Sequence, residues 1–274
     1  MPTLVDLGMV EGTWSEACAV GSRSQFVGGA ERADHAVRAF LWRAGAVVEL
    51  GTLGGAFSEA HAINQRGDVV GCAETPGGAQ HAVLWRNGAL LDLGTLGGTF
   101  SHAYGVNARG EVVGGAEASS GGLRAFLWRN GTMFDLGTLG GTFSEAYAVN
   151  DRGQVVGSAE TADGAVHAFL WQMGKMTDLG TLGGLHSRAA GVNRRGWVVG
   201  GAETEGGTVH AFLWRATGML DLGTLGGGFS DAAAVNLRGQ VVGSAETATG
   251  TVHAFLWQSG HLLDLGTLGG PESR

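Results

Sequence analysis

The chain has 274 residues, of which 52 are glycine and 3 are proline, and 44% are hydrophobic. The glycines follow no Gly-X-Y period and the hydrophobic content is too high for a disordered chain, so collagen and low-complexity disorder are excluded. The net charge of −8 disfavours nucleic acid and anionic membranes as partners, and no apolar run is long enough to span a bilayer.

The sequence repeats every 43 residues, without insertion or deletion. A Leu-Gly pair that starts at Leu7 returns at each interval. It divides the chain into repeats at 7–49, 50–92, 93–135, 136–178, 179–221 and 222–264, with the start of a seventh at 265–274. Gapless periods of about 40–50 residues with four strand signals per repeat are typical of propeller blades.

Each repeat contains four short strand signals, here called A to D and clearest in the fourth repeat. Strand A covers 144–150, strand B 154–160, strand C 165–171 and strand D 175–179. No stretch of ten residues has the 3.6-residue period of a helix. The sequence therefore predicts an all-β fold.

A single such sheet cannot bury both faces, whereas six sheets that pack face to face leave only short edges. We predict a six-bladed β-propeller of four-stranded blades in a single domain, 1–274, with a β-solenoid as the alternative. Residues 3–7 and 261–265 both resemble strand D, so one of them is expected to complete the closing blade beside a strand from the opposite terminus, and the other to lie on its edge or fray. Between blades we expect the tryptophans at 42, 85, 128, 171, 214 and 257.

Residues that are the same in every repeat are explained first by structure. An Asn three residues before a Gly, as at Asn64, predicts a type I turn. The Glu that ends strand B and the His or Arg that opens strand C are expected to pair across the hairpin between them. The predicted pairs are Glu31 with Arg38, Glu74 with His81, Glu117 with Arg124, Glu160 with His167, Glu203 with His210 and Glu246 with His253.

The motifs His-Ala-Phe-Leu-Trp, Asp-Leu-Gly-Thr-Leu-Gly-Gly and Val-Asn-x-x-Gly-x-Val-Val-Gly resemble the HAF-repeat family, described as probable extracellular repeats. His-Ala-Phe stands at His167, His210 and His253. Arg38 and Arg124 replace the His elsewhere, and Val83 replaces the Phe. The resemblance covers nearly the whole chain but implies no defined reaction and no catalytic residues.

Function is expected where the repeats differ, at the start of strand A. Two variable positions, two residues apart, lie on the same side of the strand. The first position reads Glu16, Glu59, His102, Glu145, Arg188 and Asp231, and the second reads Cys18, His61, Tyr104, Tyr147, Ala190 and Ala233. Two residues before the first position, Trp14 and His186 replace the Phe of the other repeats. Apolar walls with a few polar groups are typical of small-molecule sites.

We therefore predict a pocket for a small molecule or glycan at the mouth of the propeller channel; a solvated rim is the structural alternative. The candidate catalytic residues are Glu59, His61, His102 and Tyr104, as general acids and bases and as donors to an oxyanion. The candidate ligand-binding residues are Trp14, Glu16, Cys18, Glu145, Tyr147, His186 and Arg188. Cys18 is also a candidate nucleophile beside His61. No metal or cofactor is predicted, because HxH and HExxH spacings are absent.

The sequence leaves open whether the pocket converts its ligand, as an isomerase, cyclase, lyase or hydrolase. The alternative function is a repeat scaffold for protein or cell-surface interactions, with multivalent weak sites. We expect a monomer with no nucleic-acid partner and no membrane insertion. Because no basic and apolar leader precedes the repeats, the expected protein is soluble, and either cytoplasmic or exported with its leader removed.

Overall fold

The computed structural model describes residues 12–22, 24–267, 269–270 and 272–273. Within these residues the regular structure is entirely β: twenty-four strands form six four-stranded sheets, with no helix. Each sheet is built from four consecutive strands that pair antiparallel, and we call the sheets blades 1 to 6. The solenoid alternative is wrong, because every sheet forms within one repeat rather than between stacked coils.

The chain divides into two compact units, residues 1–135 and 136–274. Unit 1 contains blade 1 (β1 Ser15–Val20, β2 Phe26–Glu31, β3 Val37–Arg43, β4 Ala46–Glu49), blade 2 (β5 Ser58–Ile63, β6 Val69–Glu74, β7 Gln80–Arg86, β8 Ala89–Asp92) and blade 3 (β9 Gly97–Val106, β10 Val112–Ala118, β11 Leu123–Arg129, β12 Thr132–Asp135).

Unit 2 contains blade 4 (β13 Gly140–Val149, β14 Val155–Thr161, β15 Val166–Gln172, β16 Lys175–Asp178), blade 5 (β17 Gly183–Val192, β18 Val198–Thr204, β19 Val209–Arg215, β20 Gly218–Asp221) and blade 6 (β21 Gly226–Val235, β22 Val241–Thr247, β23 Val252–Gln258, β24 His261–Asp264). The first strand of each blade is strand A of its repeat and the last is strand D.

The core of each unit lies between neighbouring blades. Leu84 on strand C of blade 2 packs against Phe126 and Trp128 on strand C of blade 3. The same arrangement joins blade 1 to 2, 4 to 5 and 5 to 6, so at each of these interfaces one blade contributes Leu and the following blade contributes Phe or Val together with Trp. The prediction for the tryptophans is confirmed at these four interfaces, by Trp85, Trp128, Trp214 and Trp257.

The predicted pairing of Glu with His or Arg is wrong. In blade 2, His81 Nδ1 lies 2.9 Å from Asp92 Oδ2 on strand D, and the equivalent His of blades 4, 5 and 6 make the same contact. The Glu side chains instead accept hydrogen bonds from the backbone N–H groups of the segment that precedes or opens strand A, as Glu117 does from Thr99 N at 2.6 Å. Each Glu thus holds the D–A connection against strand B.

The start of the seventh repeat completes blade 6. Ser273 Oγ accepts a hydrogen bond from Ala254 N at 2.9 Å and donates one to Gly266 O at 2.7 Å. Ser230 makes the equivalent contacts for blade 5. Its Oγ accepts a hydrogen bond from Ala211 N and donates one to Gly223 O. Residues 261–264 form strand D of blade 6, whereas residues 3–7 lie outside the described residues.

The predicted Asn turns are confirmed. Asn64 Oδ1 accepts hydrogen bonds from the backbone N–H groups of Arg66 and Asp68, and Gly67, at φ +83°, closes the turn. The Asn side chain also donates to the next blade, from Asn64 Nδ2 to Asn107 O at 2.9 Å. The described residues contain no helix long and apolar enough to cross a bilayer.

Candidate functional site

A β-bulge in strand A presents the second variable position of each blade. In blade 2, Ala60 pairs with Gly71 and Ala62 with Val70, which leaves His61 as the extra residue. The same interruption falls at Cys18, Tyr104, Tyr147, Ala190 and Ala233. Gly71 lies opposite the bulge, where a Cβ would be 1.9 Å from Glu59 O, so only glycine fits. Bulges are frequent next to functional sites because they redirect a side chain.

His61 is held by the neighbouring blade. Its Nδ1 donates a hydrogen bond to Ala103 O at 2.9 Å, which sets the ring orientation, and its ring stacks on Tyr104 at 5.4 Å between centroids. The Nε2 atom then faces Glu59, 3.6 Å from Oε2. The interaction with His61 lowers the pKa of Glu59 although partial burial opposes this, so the carboxylate is ionised at neutral pH.

His102 forms the second half of this group in unit 1. Its Nε2 donates to Gln80 Oε1 at 2.9 Å, and the Tyr104 hydroxyl lies 3.5 Å from its Nδ1. Burial, together with the nearby charge of His61, lowers the pKa of His102 below its usual value. The group therefore combines an ionised carboxylate, a neutral imidazole and a phenol within a partly buried set of side chains, which are the components of acid–base catalysis.

The predicted residues of blade 1 lie nearer to solvent. Trp14, Glu16 and Cys18 are all exposed, and the Trp14 ring reaches over Gly29 to the same place as the Glu59 side chain. Cys18 is exposed as a residue, but the surroundings of its thiol are partly desolvated, and this burial, with the negative charges of Glu59 and Glu16, raises the pKa of Cys18 to about 11. A protonated thiol is a weak nucleophile, which disfavours the candidate role of Cys18 in covalent catalysis.

Within unit 2, three of the predicted residues, Glu145, Tyr147 and Arg188, interact with one another and with Asp231. The Tyr147 hydroxyl donates to Glu145 Oε2 at 2.8 Å, and burial with the Glu145 charge raises the pKa of Tyr147 to about 12. The Arg188 guanidinium lies over the Tyr147 ring at 5.9 Å and donates to Asp231 Oδ2 at 2.5 Å. In blades 2 and 4 the first and second variable positions therefore share one side of strand A.

A cavity of about 320 Å³ opens in unit 2 beside two of the predicted ligand-binding residues, His186 and Arg188. Its walls are largely apolar and include Phe229 and Val209. His186 Nδ1 accepts a hydrogen bond from Val166 N at 3.2 Å, so the neutral ring carries its proton on Nε2. The lining comes from blades 4, 5 and 6, through Val166, Arg188 and Asp231 among others.

Asp231 supplies this cavity with an unsatisfied acceptor. Its Oδ1 atom is buried and has no hydrogen-bond partner among the described residues, although Oδ2 binds Arg188. Burial raises the pKa of Asp231 despite the nearby Arg188 charge. A buried polar atom without a partner is uncommon in native proteins, and a hydrogen-bond donor of a ligand would satisfy it.

Sequence reasoning missed Gln80 and placed no weight on Asp231. Gln80 opens strand C at a position where the other repeats have Val or Leu, so a polar residue in an apolar column was the available signal. Asp231 stands at the first variable position, but its repeat has only Ala233 at the second, so the pattern of large polar side chains gave no signal there. In the described part of the chain, no three His, Cys, Asp or Glu side chains are grouped to hold a metal ion.

Comparison with family models and with curated proteins found no match to the sequence, so the resemblance to the HAF-repeat family stays a prediction. Solved structures do match. The β-propeller domain of the Trilobed protease from Pyrococcus furiosus is 12% identical with a TM-score of 0.60, over 94% of this chain and 85% of that one.

An acylaminoacyl peptidase from Pyrococcus horikoshii is 12% identical with a TM-score of 0.56, over 92% of this chain and 45% of that one. A mutant puromycin hydrolase is 13% identical with a TM-score of 0.57, over 97% of this chain and 56% of that one. The chain thus spans about half the length of these two enzymes. Together with the six four-stranded sheets, the likeness confirms the predicted fold class, a six-bladed β-propeller of four-stranded blades.

Proposed function

We propose that this propeller binds a small organic molecule or a glycan through strand A side chains. The observation that carries the proposal is the cavity of about 320 Å³ in unit 2, with Phe229 in its wall and the unpartnered Asp231 Oδ1 at its edge. Cavities of this volume with mostly apolar walls and a few polar groups are typical of small-molecule sites. Asp231 would accept from a ligand hydroxyl or amine, and His186 Nε2 would donate to a ligand oxygen.

Acid–base catalysis is a second candidate function, supported by the group in unit 1. His61 is fixed by Ala103 O, and its Nε2 lies 3.6 Å from the ionised Glu59 carboxylate. In this arrangement Glu59 would accept a proton from a substrate, the neutral His102 imidazole would exchange one, and Tyr104 would donate to an oxygen that gains negative charge. Isomerisation, cyclisation, lysis and hydrolysis all need such groups.

The binding proposal is tested with a matched pair of variants. Phe229 and Phe100 stand at equivalent positions and are each 38% exposed, but only Phe229 lines the cavity. A thermal-shift screen of monosaccharides and small organic acids would identify a ligand, and calorimetry would measure its affinity. We expect Phe229→Ala to weaken binding at least tenfold while Phe100→Ala leaves it unchanged.

Equal affinity of both variants, or no ligand in the screen, would contradict the cavity as a binding site and favour the scaffold function. For the catalytic candidate, the measurement is turnover of the identified ligand. His61→Ala combined with His102→Ala should abolish turnover with little loss of thermal stability. Unchanged turnover in this double variant would contradict the catalytic role and favour the alternative that the unit 1 group is a solvated rim.

A further inference from the structure

A second and larger opening lies in unit 1, between blades 1 and 2. It has a volume of about 820 Å³ and is bounded by the A–B turns of the two blades, the end of β4 and the turn between β7 and β8. None of the residues predicted from strand A lines it. This cleft is built from elements that the proposed function does not use.

The cleft opens where the repeat pattern loses an inter-blade hydrogen bond. At the interfaces of blades 2 and 3, 4 and 5, and 5 and 6, an Asn side chain donates to the next turn at 2.8–2.9 Å. Blade 1 has Gly21 at this position and has no side chain to donate. Ser22 Oγ reaches the neighbouring turn instead, at 3.3 Å from Gln65 O. The two blades are therefore less closely tied at this end than the other three pairs.

The floor of the cleft contains a donor without an acceptor. Trp85 lines the cleft and is only 5% exposed, and its indole Nε1 is buried with no partner among the described residues. Buried indole N–H groups usually find a hydrogen-bond acceptor. A ligand oxygen in the cleft reaches this N–H after a small shift of the Trp85 side chain, because the nitrogen itself has almost no accessible surface.

The rim of the cleft carries an arginine that has no partner among the described side chains. The residue that precedes or opens strand B and the residue that ends strand C interact in blades 2, 4, 5 and 6, through Asp68 with Arg86, Gln154 with Gln172, Trp197 with Arg215 and Gln240 with Gln258. In blade 3, Arg129 lies over the Phe134 ring instead. The corresponding residues of blade 1 are Gln25 and Arg43, and Arg43 makes no ion pair or hydrogen bond with any described side chain. Its guanidinium is thus available to a ligand in this cleft.

The remaining charges favour an anion that also carries hydroxyl groups. Arg66 lines the cleft together with Arg43, whereas the acid there, Glu49, already accepts hydrogen bonds from Arg32 Nη1 at 3.0–3.3 Å. The cations are local, because the chain as a whole has a net charge of −8. Gln25 and Gln65 add amide groups that can both donate and accept.

We propose that this cleft binds a sugar that carries a carboxylate group. The carboxylate is held by Arg43 and Arg66, since guanidinium groups bind carboxylates with paired, charge-assisted hydrogen bonds. A ring or hydroxyl oxygen accepts from Trp85 Nε1, and the other hydroxyl groups contact Gln25 and Gln65. Tight binding in the cleft therefore requires a carboxylate and hydroxyl groups in one molecule.

The test compares three probes on the full chain by calorimetry: glucuronate, which has both features, glucose, which lacks the carboxylate, and acetate, which lacks the hydroxyl groups. We expect glucuronate to bind at least tenfold more tightly than either of the others. The indole resonance of Trp85, identified by its loss in Trp85→Phe, should shift in an NMR titration with glucuronate. Equal affinity for acetate would overturn the sugar assignment, and no binding of glucuronate would overturn the site.

Two variants locate the binding. Arg43→Gln places there the residue that blades 4 and 6 naturally have at 172 and 258, so the fold tolerates it, and we expect a tenfold or greater loss of glucuronate affinity. Arg129→Gln, at the equivalent position of blade 3, is the control and should bind as the native chain does. Equal losses in both variants, or none in Arg43→Gln, would overturn the proposal. Failure of the cavity in unit 2 to bind a ligand would leave these outcomes unaffected.

A third variant restores the repeat pattern. Gly21→Asn with Ser24→Gly gives blade 1 the turn of the other blades and a side chain that reaches Asn64 O, with a small shift of the Ile63 side chain 3.1 Å from the new Cβ. Closure of the cleft should abolish glucuronate binding and raise the melting temperature. Undiminished binding by this folded variant would contradict the cleft as the site.

Discussion

The pair formed by Asp68 and Arg86 shows how strands B and C stabilise one blade. The Asp68 side chain is 7% exposed and accepts hydrogen bonds from Arg86 Nε at 2.8 Å and Arg86 Nη2 at 3.0 Å, with a third from Asn64 Nδ2 at 2.8 Å. Blades 4 and 6 have Gln at both equivalent positions, joined at 2.8 Å. Arg86→Gln would leave a buried carboxylate unpaired, whereas Gln at both positions reproduces a native arrangement.

The cost of Arg86→Gln follows from this geometry. Removing one partner of a fully buried ion pair costs about 3–5 kcal/mol. Arg86 is 38% exposed and Asn64 still donates to Asp68 in the variant, so we expect the free energy of unfolding to fall by about 2 kcal/mol. Asp68→Gln with Arg86→Gln should cost less than about 1 kcal/mol, because both groups are then neutral and hydrogen-bonded.

Urea denaturation of the native chain, both single variants and the double variant measures this as a double-mutant cycle. Burial alone would raise the pKa of Asp68, but the hydrogen bonds from Arg86 and Asn64 hold it below 3.8. Because the folded pKa is the lower one, the pair stabilises the protein above about pH 4, and this contribution is lost as the pH falls through the folded pKa. A double variant that loses as much stability as the two singles combined would refute this reasoning.

Three further predictions concern single residues. Ser24→Gly should raise the free energy of unfolding by about 0.5–1 kcal/mol in urea denaturation, because Ser24 has φ +53° where the other turns have Gly, and a loss of stability would contradict this strain. The pKa of His102 is lowered in the fold, so the native chain should lose melting temperature relative to His102→Gln as the pH falls below about 6.5; a constant difference between pH 7.5 and 5 would argue against it. Cys18, with a thiol pKa of about 11, should react with iodoacetamide roughly a hundredfold more slowly than a free cysteine at pH 7.5, as followed by peptide mass; rapid labelling would disprove its protonated state.

The repeat predicted the number and type of strands because one pattern recurs without gaps, but it did not predict where strand A begins. Strand A of blade 4 was expected at 144–150, and β13 covers Gly140–Val149. The added residues are largely Gly and Thr, which carry no alternating pattern. They become a strand because Glu160 accepts hydrogen bonds from Thr142 N and Oγ1, a tertiary contact that local sequence does not encode.

The side-chain partners were harder to predict than the strand faces. Period-two spacing correctly placed Glu59 and His61 on one side of strand A, but it could not distinguish the strand to which His81 turns. His81 pairs with Asp92 because strand D lies beside strand C, while Glu74, at the end of strand B, meets the backbone of Ala56. The bulge at His61 was also invisible, since it depends on pairing with strand B rather than on composition.

The pairs that join strands B and C did leave a signal in the sequence. Asp68 with Arg86, and Gln154 with Gln172, change type together within one repeat. Comparison of the six repeats, position against position, shows that Gln at the end of strand C occurs only with Gln before strand B, whereas Arg there stands opposite Gln25, Asp68, Glu111 or Trp197. The same comparison identifies blade 1 as the repeat that lacks both the Asn turn and a bonded pair.

The described blade interfaces all run in the same direction, which makes the repeats within a unit interchangeable. Each described interface joins a Leu face to the face that carries Phe or Val and Trp on strand C, so the contact is heterologous rather than self-complementary. Exchange of two whole repeats within a unit keeps every Leu face opposite a face that carries Phe or Val and Trp. Recombination between gene segments of equal length can therefore reorder the variable strand A residues without repacking the core, so that new combinations of ligand-binding side chains arise by shuffling rather than by point mutation.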